Sequence, residues 1–439
     1  MLEFLRLENV GPAPLMELEL ASRLNLITGD NGLGKSFLLD VMWWALTRKW
    51  PQDLNAQLSG GYPARPTNPR KPATLAFRLD AKVKSVTYES HYGPRDEAWL
   101  GKPGRPWNPG LVIYAHADGG FSVWDPARNY WKKKGNTDIH ERLPGYVFSP
   151  REVWQGLEVR IEGANVTVCN GLLRDWASWI KENQNNVRVL STLLEALSPT
   201  GETLELGPLT RPLSVNDARD IPSLKTGYAD AVPVLFASSG VRRIMALAYM
   251  LQWSWNEHHI ACEKLGEKPT SQVIMLIDEI ESHLHPRWQR SVLKSLLSIM
   301  KALHASASIQ LIAATHSPLI LASAEPFFDP QQDAWFDLDL DSGRRTVVVE
   351  KRPFVRRGTA GRWLTSPAFD LASEGRSLEA EAAIQHAEDL LKQRREGGGL
   401  TRAALDAANA ELRRTLSDVD SFWVRWSHAF ETLCQEAES

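Results

Sequence analysis

The stretch Gly29-Asp30-Asn31-Gly32-Leu33-Gly34-Lys35-Ser36 has the pattern G-x-x-x-x-G-K-[ST]. The apolar residues 24–28 before it predict a strand, and the apolar residues 37–46 after it predict a helix. A glycine-rich turn between a strand and a helix N-terminus presents a nest of backbone N–H groups that binds the β- and γ-phosphates of a nucleotide. The flanking elements argue against a chance glycine-rich turn. The sequence therefore predicts a nucleotide-binding loop in an α/β fold.

Each residue type in this loop has a chemical role. The glycines permit the backbone angles and the close approach that such a loop requires. Lys35 is expected to reach the β/γ-phosphate oxygens and to act in catalysis, and the Ser36 hydroxyl is expected to ligate Mg²⁺. The predicted nucleotide-binding residues here are Gly29, Asp30, Asn31, Gly32, Gly34, Lys35, Ser36 and Phe37.

A second apolar run, residues 273–277, predicts a parallel strand that is buried on both faces. It ends in Asp278 and Glu279. Acids at the carboxyl end of such a strand lie in the ligand crevice of an open α/β sheet. Asp278 is therefore the predicted Mg²⁺ residue, held through water, and Glu279 the predicted general base that orients the attacking water. A strand that simply ends in two acids is the alternative.

Two further segments extend the predicted site. The apolar residues 309–315 predict another buried strand, and His316 at its end is placed to sense a γ-phosphate. The turn Ser238-Ser239-Gly240 precedes an apolar helix, so its hydroxyls and free N–H groups predict a second anion site. One nucleotide has no need of two such sites, whereas two chains that face each other head to tail do. Taken alone, the turn is only a common helix cap.

These motifs resemble those of the ABC-type ATPases of the SMC, RecF and OLD-nuclease kind. Residues 29–36 look like their Walker A, residues 274–279 like their Walker B with catalytic Glu279, and His316 like their switch histidine. The Ser238–Gly240 turn is similar to their signature, although Ala237 and Ser239 depart from Leu-Ser-Gly-Gly-Gln. The stretch 281–286 resembles the E-x-x-L-H-P of OLD-like ATPases, at the D-loop position. The resemblance implies bound ATP and Mg²⁺ and a homodimer or higher homo-oligomer.

A finer resemblance extends along more of the chain. Residues 170–179, 237–244 and 364–371 look like the Septu-type (PtuA) and retron-associated ATPases of bacterial antiphage defence. In those systems the ATPase is paired with a separate effector, often an HNH nuclease encoded in the same operon. The resemblance therefore implies a protein partner of that kind.

The composition restricts the classes of protein to which this sequence can belong. The net charge of −3 provides no overall basic field for nucleic acid, although Lys132-Lys133-Lys134 leaves DNA contact possible. The three cysteines, Cys169, Cys262 and Cys434, are far apart and favour a reducing cytoplasm without a zinc site. No signal peptide and no membrane-spanning apolar segment is expected.

The predicted fold class is α/β, an ABC-type ATPase head with a mixed sheet, a β-rich N-terminal lobe and a short helical insertion. Four regions are expected: the Walker A lobe (1–160), a helical insertion and loop (161–235), the lobe with signature, Walker B and switch histidine (236–357), and a helical docking or oligomerisation appendage (358–439). Two helices of the appendage carry apolar stripes, which predict packing either on the ATPase lobes or on another protein.

The sequence thus predicts an ATPase whose nucleotide-gated dimer regulates a separate nuclease or toxin in antiphage defence. The rival hypothesis is a RecF-like ATPase that binds DNA in repair or clamping. ATP-stimulated binding of duplex DNA with steep salt dependence would favour the rival.

Overall fold

The computed structural model describes the chain except for residues 81–85, 102–106, 130–141, 162, 200, 203, 212–213, 304–306, 342, 344, 372 and 438–439. The lysine run 132–134, which left DNA contact open, lies outside the described residues. Contacts divide the chain into two compact units, Met1–Gly358 and Thr359–Ser439. Within the described ranges, no helix is both long enough and apolar enough to cross a bilayer.

The first unit holds all the strands of the described residues. They are β1 (Leu2–Glu8), β2 (Leu15–Glu19), β3 (Leu24–Gly29), β4 (Thr74–Leu79), β5 (Val86–Gly93), β6 (Ala98–Gly101), β7 (Leu111–Ala115), β8 (Phe121–Trp124), β9 (Tyr146–Phe148), β10 (Leu157–Ile161), β11 (Ala164–Cys169), β12 (Glu205–Leu206), β13 (Ser223–Thr226), β14 (Ala229–Pro233), β15 (Gln272–Ile277), β16 (Ser308–Ala314), β17 (Asp333–Asp341) and β18 (Thr346–Arg352).

The helices of this unit are α1 (Lys35–Thr47), α2 (Pro51–Leu54), α3 (Pro126–Asn129), α4 (Pro150–Gln155), α5 (Leu172–Glu182), α6 (Gln184–Leu197), α7 (Ser239–Leu265), α8 (Pro286–Leu303) and α9 (Pro318–Ala324). The second unit contains α10 (Ala360–Leu364), α11 (Leu378–Arg395), α12 (Arg402–Thr415) and α13 (Phe422–Ala437).

An eight-stranded mixed sheet carries the site, with strand order β18-β17-β3-β16-β15-β7-β8-β9. The five strands from β17 to β7 are parallel, and antiparallel strands flank them on both sides. Strands β3, β16 and β15 are neighbours in register, so that the residues after each of them meet at one edge of the sheet. The predicted α/β class with a mixed sheet is confirmed.

A second, antiparallel sheet with the order β2-β1-β4-β5-β6 forms the β-rich lobe. Helix α1 belongs to the core that it shares with the central sheet, and Trp43 and Trp44 on α1 are buried there. Because α1 is apolar on almost its whole circumference, it can be stable only inside such a core. The predicted nucleotide-binding loop, residues 29–36, is called the phosphate loop below. It is thereby fixed between the buried strand β3 and the buried helix α1.

The region between the β-rich lobe and α7 contains more strand than its sequence indicates. The helical insertion expected within residues 161–235 is present as α5 and α6. Strands β10 and β11 form a hairpin before it. Residues 198–233, expected to be a loop, include the small sheet β12-β13-β14. Its strands have only two to five residues, too few for the alternation of polar and apolar residues to become visible.

The second unit has its own hydrophobic core. The stripe residues Leu390 and Leu391 of α11 and Phe422, Trp426 and Leu433 of α13 are buried in it, together with residues of α12. The stripes are therefore covered by the helices of this unit, which is neither of the two alternatives that the sequence suggested. The division of the chain into four functional regions remains a prediction.

Candidate functional site

The phosphate loop connects β3 directly to α1. Gly34 precedes the helix in the left-handed conformation, with φ 100°, and α1 begins at Lys35. Gly29 is also required, because a Cβ there would lie 2.3 Å from the Leu338 carbonyl oxygen. The Lys35 ammonium donates hydrogen bonds to the carbonyl oxygens of Gly29, at 2.6 Å, and Asp30, at 2.8 Å. The loop therefore folds around the amine that is predicted to contact phosphate.

The electrostatics of Lys35 suit an anionic ligand. Burial lowers the pKa of its ammonium, and the carboxylates of Asp278 and Asp30 oppose that shift. The first N–H groups of α1 have no partner within the helix, so they add positive potential at the same place. A polyphosphate bound here would meet both the amine and the helix N-terminus.

Asp278 follows β15 and is buried. Its backbone N–H donates to the Ala115 carbonyl oxygen at 2.9 Å, which fixes the end of β15 against β7. Burial raises the pKa of its carboxyl group, and a hydrogen bond from the Ser36 side chain opposes this shift. The serine hydroxyl and the aspartate are thus adjacent, and both are oxygen ligands of the kind that Mg²⁺ prefers. This donor set fits a magnesium-bound nucleotide.

Glu279 is next in the chain and has a φ of 46°. A positive φ is uncommon for glutamate and is a feature of strained functional positions. The Ser282 N–H donates to the Glu279 carbonyl oxygen at 2.8 Å, so a tight turn holds this conformation. The turn places the carboxylate directly after the residue that is predicted to hold Mg²⁺, at the same sheet edge as the phosphate loop.

His316 lies at the same edge, at the end of β16. Burial lowers the pKa of its imidazole, and the charge of Lys35 adds to that effect. The Glu281 carboxylate accepts hydrogen bonds from the His316 backbone N–H, at 2.5 Å, and from the Thr315 hydroxyl, at 2.6 Å. The structure therefore brings Lys35, Ser36, Asp278, Glu279 and His316 together.

Glu281 was not among the site residues predicted from the sequence, although it belongs to the stretch that resembles E-x-x-L-H-P. Its role depends on contacts with residues that are 34 and 35 positions away. The signal that was available is a third acid two residues after Glu279.

The Ser238–Gly240 turn opens α7, as expected. Ser238 is the N-cap residue, and its hydroxyl accepts from the Val241 N–H at 3.4 Å. A Cβ on Gly240 would lie 2.5 Å from the His283 carbonyl oxygen, so glycine allows close approach of α7 to the loop after Glu279. Ser239 lines a cavity to which the phosphate loop contributes no residue. Within one chain, this turn is therefore not part of the cluster formed by the phosphate loop.

Arg243, in the first turns of α7, is another residue that the predicted site omitted. Its guanidinium donates to the carbonyl oxygens of His116, at 2.7 Å, and Asp278, at 3.3 Å. Burial lowers the pKa of this guanidinium, and the nearby carboxylate of Asp118 opposes the shift. Arg243 thus joins α7 to the carboxyl ends of β7 and β15.

A family model described as "AAA domain, putative AbiEii toxin, Type IV TA system" matches residues 24–322. The match begins at β3 and extends past His316, so it includes every residue of the site. It identifies an ATPase domain of the AAA type in this chain.

Two curated relatives carry retron names. The chain is 32% identical over 99 residues to "Retron Ec83 probable ATPase" of Escherichia coli, which is 23% of this chain and 15% of that protein. It is 44% identical over 50 residues to "Retron Vc95 probable ATPase" of Vibrio cholerae serotype O1 biovar El Tor, or 11% and 9% of the two chains. The matched parts thus span less than a fifth of either relative.

Solved structures with some backbone similarity to this chain include an Smc head bound to the C-terminal winged-helix domain of ScpA. That match has a TM-score of 0.40 and 16% identity and covers 80% of this chain and 97% of the other. A second is the recombination mediator RecF, with a TM-score of 0.35 and 14% identity, covering 80% and 98%.

Proposed function

Because the chain belongs to this AAA-domain family, we propose that it binds Mg-ATP and hydrolyses it to ADP and phosphate. The observation that carries the proposal is the convergence of Lys35, Ser36, Asp278, Glu279 and His316 at one edge of the central sheet. Preorganised charges and hydrogen-bond donors are the main source of catalysis in phosphoryl transfer, where the protein has little covalent chemistry to perform.

Each side chain has a defined task in this proposal. Lys35 binds the β/γ-phosphate oxygens, and Ser36 and Asp278 would hold a magnesium ion, which would neutralise developing negative charge. Glu279 accepts a proton from the attacking water. The neutral imidazole of His316 contacts the γ-phosphate and is held in place by Glu281, through the backbone at 2.5 Å.

Removing the carboxylate of Glu281 should therefore slow hydrolysis without abolishing ATP binding. In Glu281→Ala, the His316 N–H and the Thr315 hydroxyl lose their acceptor. We expect kcat to fall by about tenfold or more, since small displacements of a positioned group can cost that much. Steady-state kinetics should show the loss in kcat rather than in KM.

The matched control is Glu202→Gln, which removes the charge from a surface ion pair with Arg287, whose side chain is 67% exposed. It should leave both kinetic constants close to those of the wild type, because such pairs contribute little. A Glu281→Ala protein with unchanged kcat would show that His316 does not depend on this carboxylate.

We further propose that two chains combine head to tail, so that Ser239 and Gly240 of one complete the ATP site of the other. The position of the turn outside the phosphate-loop cluster of its own chain supports this arrangement. Ser239→Arg and Lys35→Ala should each be inactive alone. Mixed in equal amounts, they should recover roughly a quarter of the wild-type rate, since half of the dimers carry one intact site.

The control for this experiment is a mixture of Lys35→Ala with Glu279→Gln. Lys35 and Glu279 both belong to the half of the composite site that contains the phosphate loop. In the heterodimer one site therefore lacks Lys35 and the other lacks Glu279, so neither site is intact. Recovery in this control as well, or no recovery in the Ser239→Arg mixture at any ratio, would contradict the head-to-tail site.

At the level of the cell, we propose that opening and closing of the dimer gates a separate effector, such as an HNH nuclease, in antiphage defence. The retron names of the two curated relatives support this. A nuclease or toxin encoded beside this chain should co-purify with it, and the amount of effector that stays bound should depend on the nucleotide present. If the protein instead binds duplex DNA when ATP is present, with a steep salt dependence, the RecF-like alternative is favoured.

A further inference from the structure

A cavity of about 330 Å³ lies between the helices α5 and α6 and the middle of helix α7. Its size falls in the range of binding sites for small molecules. Part of the lining belongs to residues 170–179, a segment that the proposed hydrolysis does not use. The lining includes no residue of the phosphate loop, of the Ser238–Gly240 turn, of the acid pair after β15 or of the loop that holds His316. The cavity is therefore separate from the proposed ATP site.

The lining carries more negative than positive charge. Its charged side chains are Asp175 on α5, Glu257 on α7 and Arg128 on α3. The Arg128 guanidinium pairs with the Glu257 carboxylate at 3.1 Å, and its carbon lies 4.4 Å from the ring centre of Tyr146. Arg128 is thus fixed in place and compensates Glu257, which leaves the charge of Asp175 without compensation at the cavity.

The Asp175 carboxylate is oriented by two neutral donors. The Asn170 side-chain amide donates to Oδ1 at 2.8 Å, and the buried Tyr249 hydroxyl donates to Oδ2 at 2.7 Å. Within the described part of the chain, no lysine or arginine forms an ion pair with this carboxylate. Each of its oxygens can accept a further hydrogen bond, because a carboxylate has about four acceptor positions. Asp175 is therefore held ready for a cationic ligand.

Glu257 faces the same negative charge. Burial raises the pKa of its carboxyl group, the charge of Arg128 opposes this shift, and the charge of Asp175 adds to it. Asp175 and Glu257 are therefore near enough to repel each other. A cation bound in the cavity would stabilise both carboxylates.

Aromatic rings and amides complete the lining. Trp179 and Trp253 contribute indole rings, which attract cations, and Asn186 and Asn256 contribute amides. Next to them, the fully buried Gln252 donates to the Asn186 carbonyl oxygen at 2.9 Å, while its own side-chain oxygen has no hydrogen-bond partner among the described residues. Indole rings are not ligands for a hard metal ion, so this mixture of groups favours an organic cation.

We propose that this cavity binds a small organic cation with a primary ammonium group, of the aliphatic polyamine class. Asp175 accepts a charge-assisted hydrogen bond from the ammonium group, Glu257 adds attraction, and the indole rings pack against the alkyl chain. The ligand would contact α5 and α7 together. The site uses none of the residues of the proposed hydrolysis, so it can be occupied in the absence of nucleotide.

The test is a titration of putrescine and spermidine into the full chain by isothermal calorimetry. Nucleotides are left out, because polyphosphates attract polyamines directly. We expect both amines to bind and to raise the melting temperature of the chain, since a ligand of the folded state stabilises it. Asp175→Asn and Glu257→Gln should each weaken binding by about tenfold or more, because each removes a charged partner of the ammonium group.

The matched control is Glu182→Gln, which removes an exposed carboxylate of α5 that does not line the cavity. It changes the net charge of the chain by the same amount and should leave the affinities unchanged. A second control is the ligand 1,4-butanediol, which has the chain length of putrescine but no charge. It should not bind.

The proposal is overturned if neither amine binds at millimolar concentration, if butanediol binds as tightly as putrescine, or if the cavity variants bind as tightly as Glu182→Gln. A thermal melt verifies that each variant is folded. If Asp175→Asn fails this check, Glu257→Gln decides the matter, because the Glu257 side chain is 33% exposed and its replacement should not impair folding.

Discussion

Replacing Glu279 with glutamine is expected to lower the rate of ATP hydrolysis by about 10²–10⁴-fold while ATP binding is retained. Glutamine has the size and shape of glutamate but cannot accept a proton from the attacking water. Because the two side chains have the same shape, the substitution should leave the backbone at position 279, with its φ of 46°, unchanged. The measurement is single-turnover hydrolysis together with equilibrium binding of a nucleotide.

Two variants separate chemistry from conformation. Glu279→Gly removes the carboxylate but relieves the unfavourable backbone angle, so it should be as inactive as Glu279→Gln and at least as stable. Lys35→Ala should weaken nucleotide binding itself. Turnover at the wild-type rate in Glu279→Gln would assign the general base to another residue.

Replacing Trp426 with alanine is expected to destabilise the C-terminal unit by about 3–5 kcal/mol, the typical cost of deleting a large buried aromatic side chain. Trp426 is 1% exposed, and its indole N–H donates to the Asn409 side-chain oxygen at 3.1 Å. For a domain of this size such a loss is a large part of the total stability. Differential scanning calorimetry of the full chain should show the transition of this unit at a lower temperature than in the wild type.

The matched control is Val424→Ala on the same helix, because Val424 is 82% exposed. Its effect should remain within about 0.5 kcal/mol. We expect the transition of the unit Met1–Gly358 to be unaffected by Trp426→Ala, since that unit has its own core. A single shifted transition for the whole chain would mean that the two units unfold together.

The nucleotide loop and the acids after β15 could be predicted because their chemistry is local in sequence. A glycine at a left-handed position, a lysine at the first residue of a helix and an acid after a buried strand are each defined by their immediate neighbours. The roles of Glu281 and Arg243 could not be predicted in this way. They depend on which carbonyl and amide groups the folded chain brings near them.

The C-terminal helices show a different limit. Periodicity reveals that Phe422, Trp426 and Leu433 lie on one face of a helix, but it cannot reveal what covers that face. The structure shows that helices of the same unit do so. The small sheet of residues 205–233 was not predicted, because its strands of two to five residues are too short to show a clear alternation of polar and apolar residues.

Two hydrogen bonds connect helix α7 to the residues that flank strand β15. Near its beginning, Arg243 donates to the Asp278 carbonyl oxygen at 3.3 Å, and fifteen residues later His258 accepts from the Thr270 N–H at 2.9 Å, just before β15 starts. Fifteen helical residues span about 22 Å, and the eight residue steps from Thr270 to Asp278 span at most about 26 Å. The two contacts are thus separated by similar distances along the helix and along the strand, which opposes sliding of one element past the other. We therefore expect a displacement of the Ser239 end of α7 to reach Asp278 and Glu279, the acids after β15, through the contact that Arg243 makes with the Asp278 carbonyl oxygen.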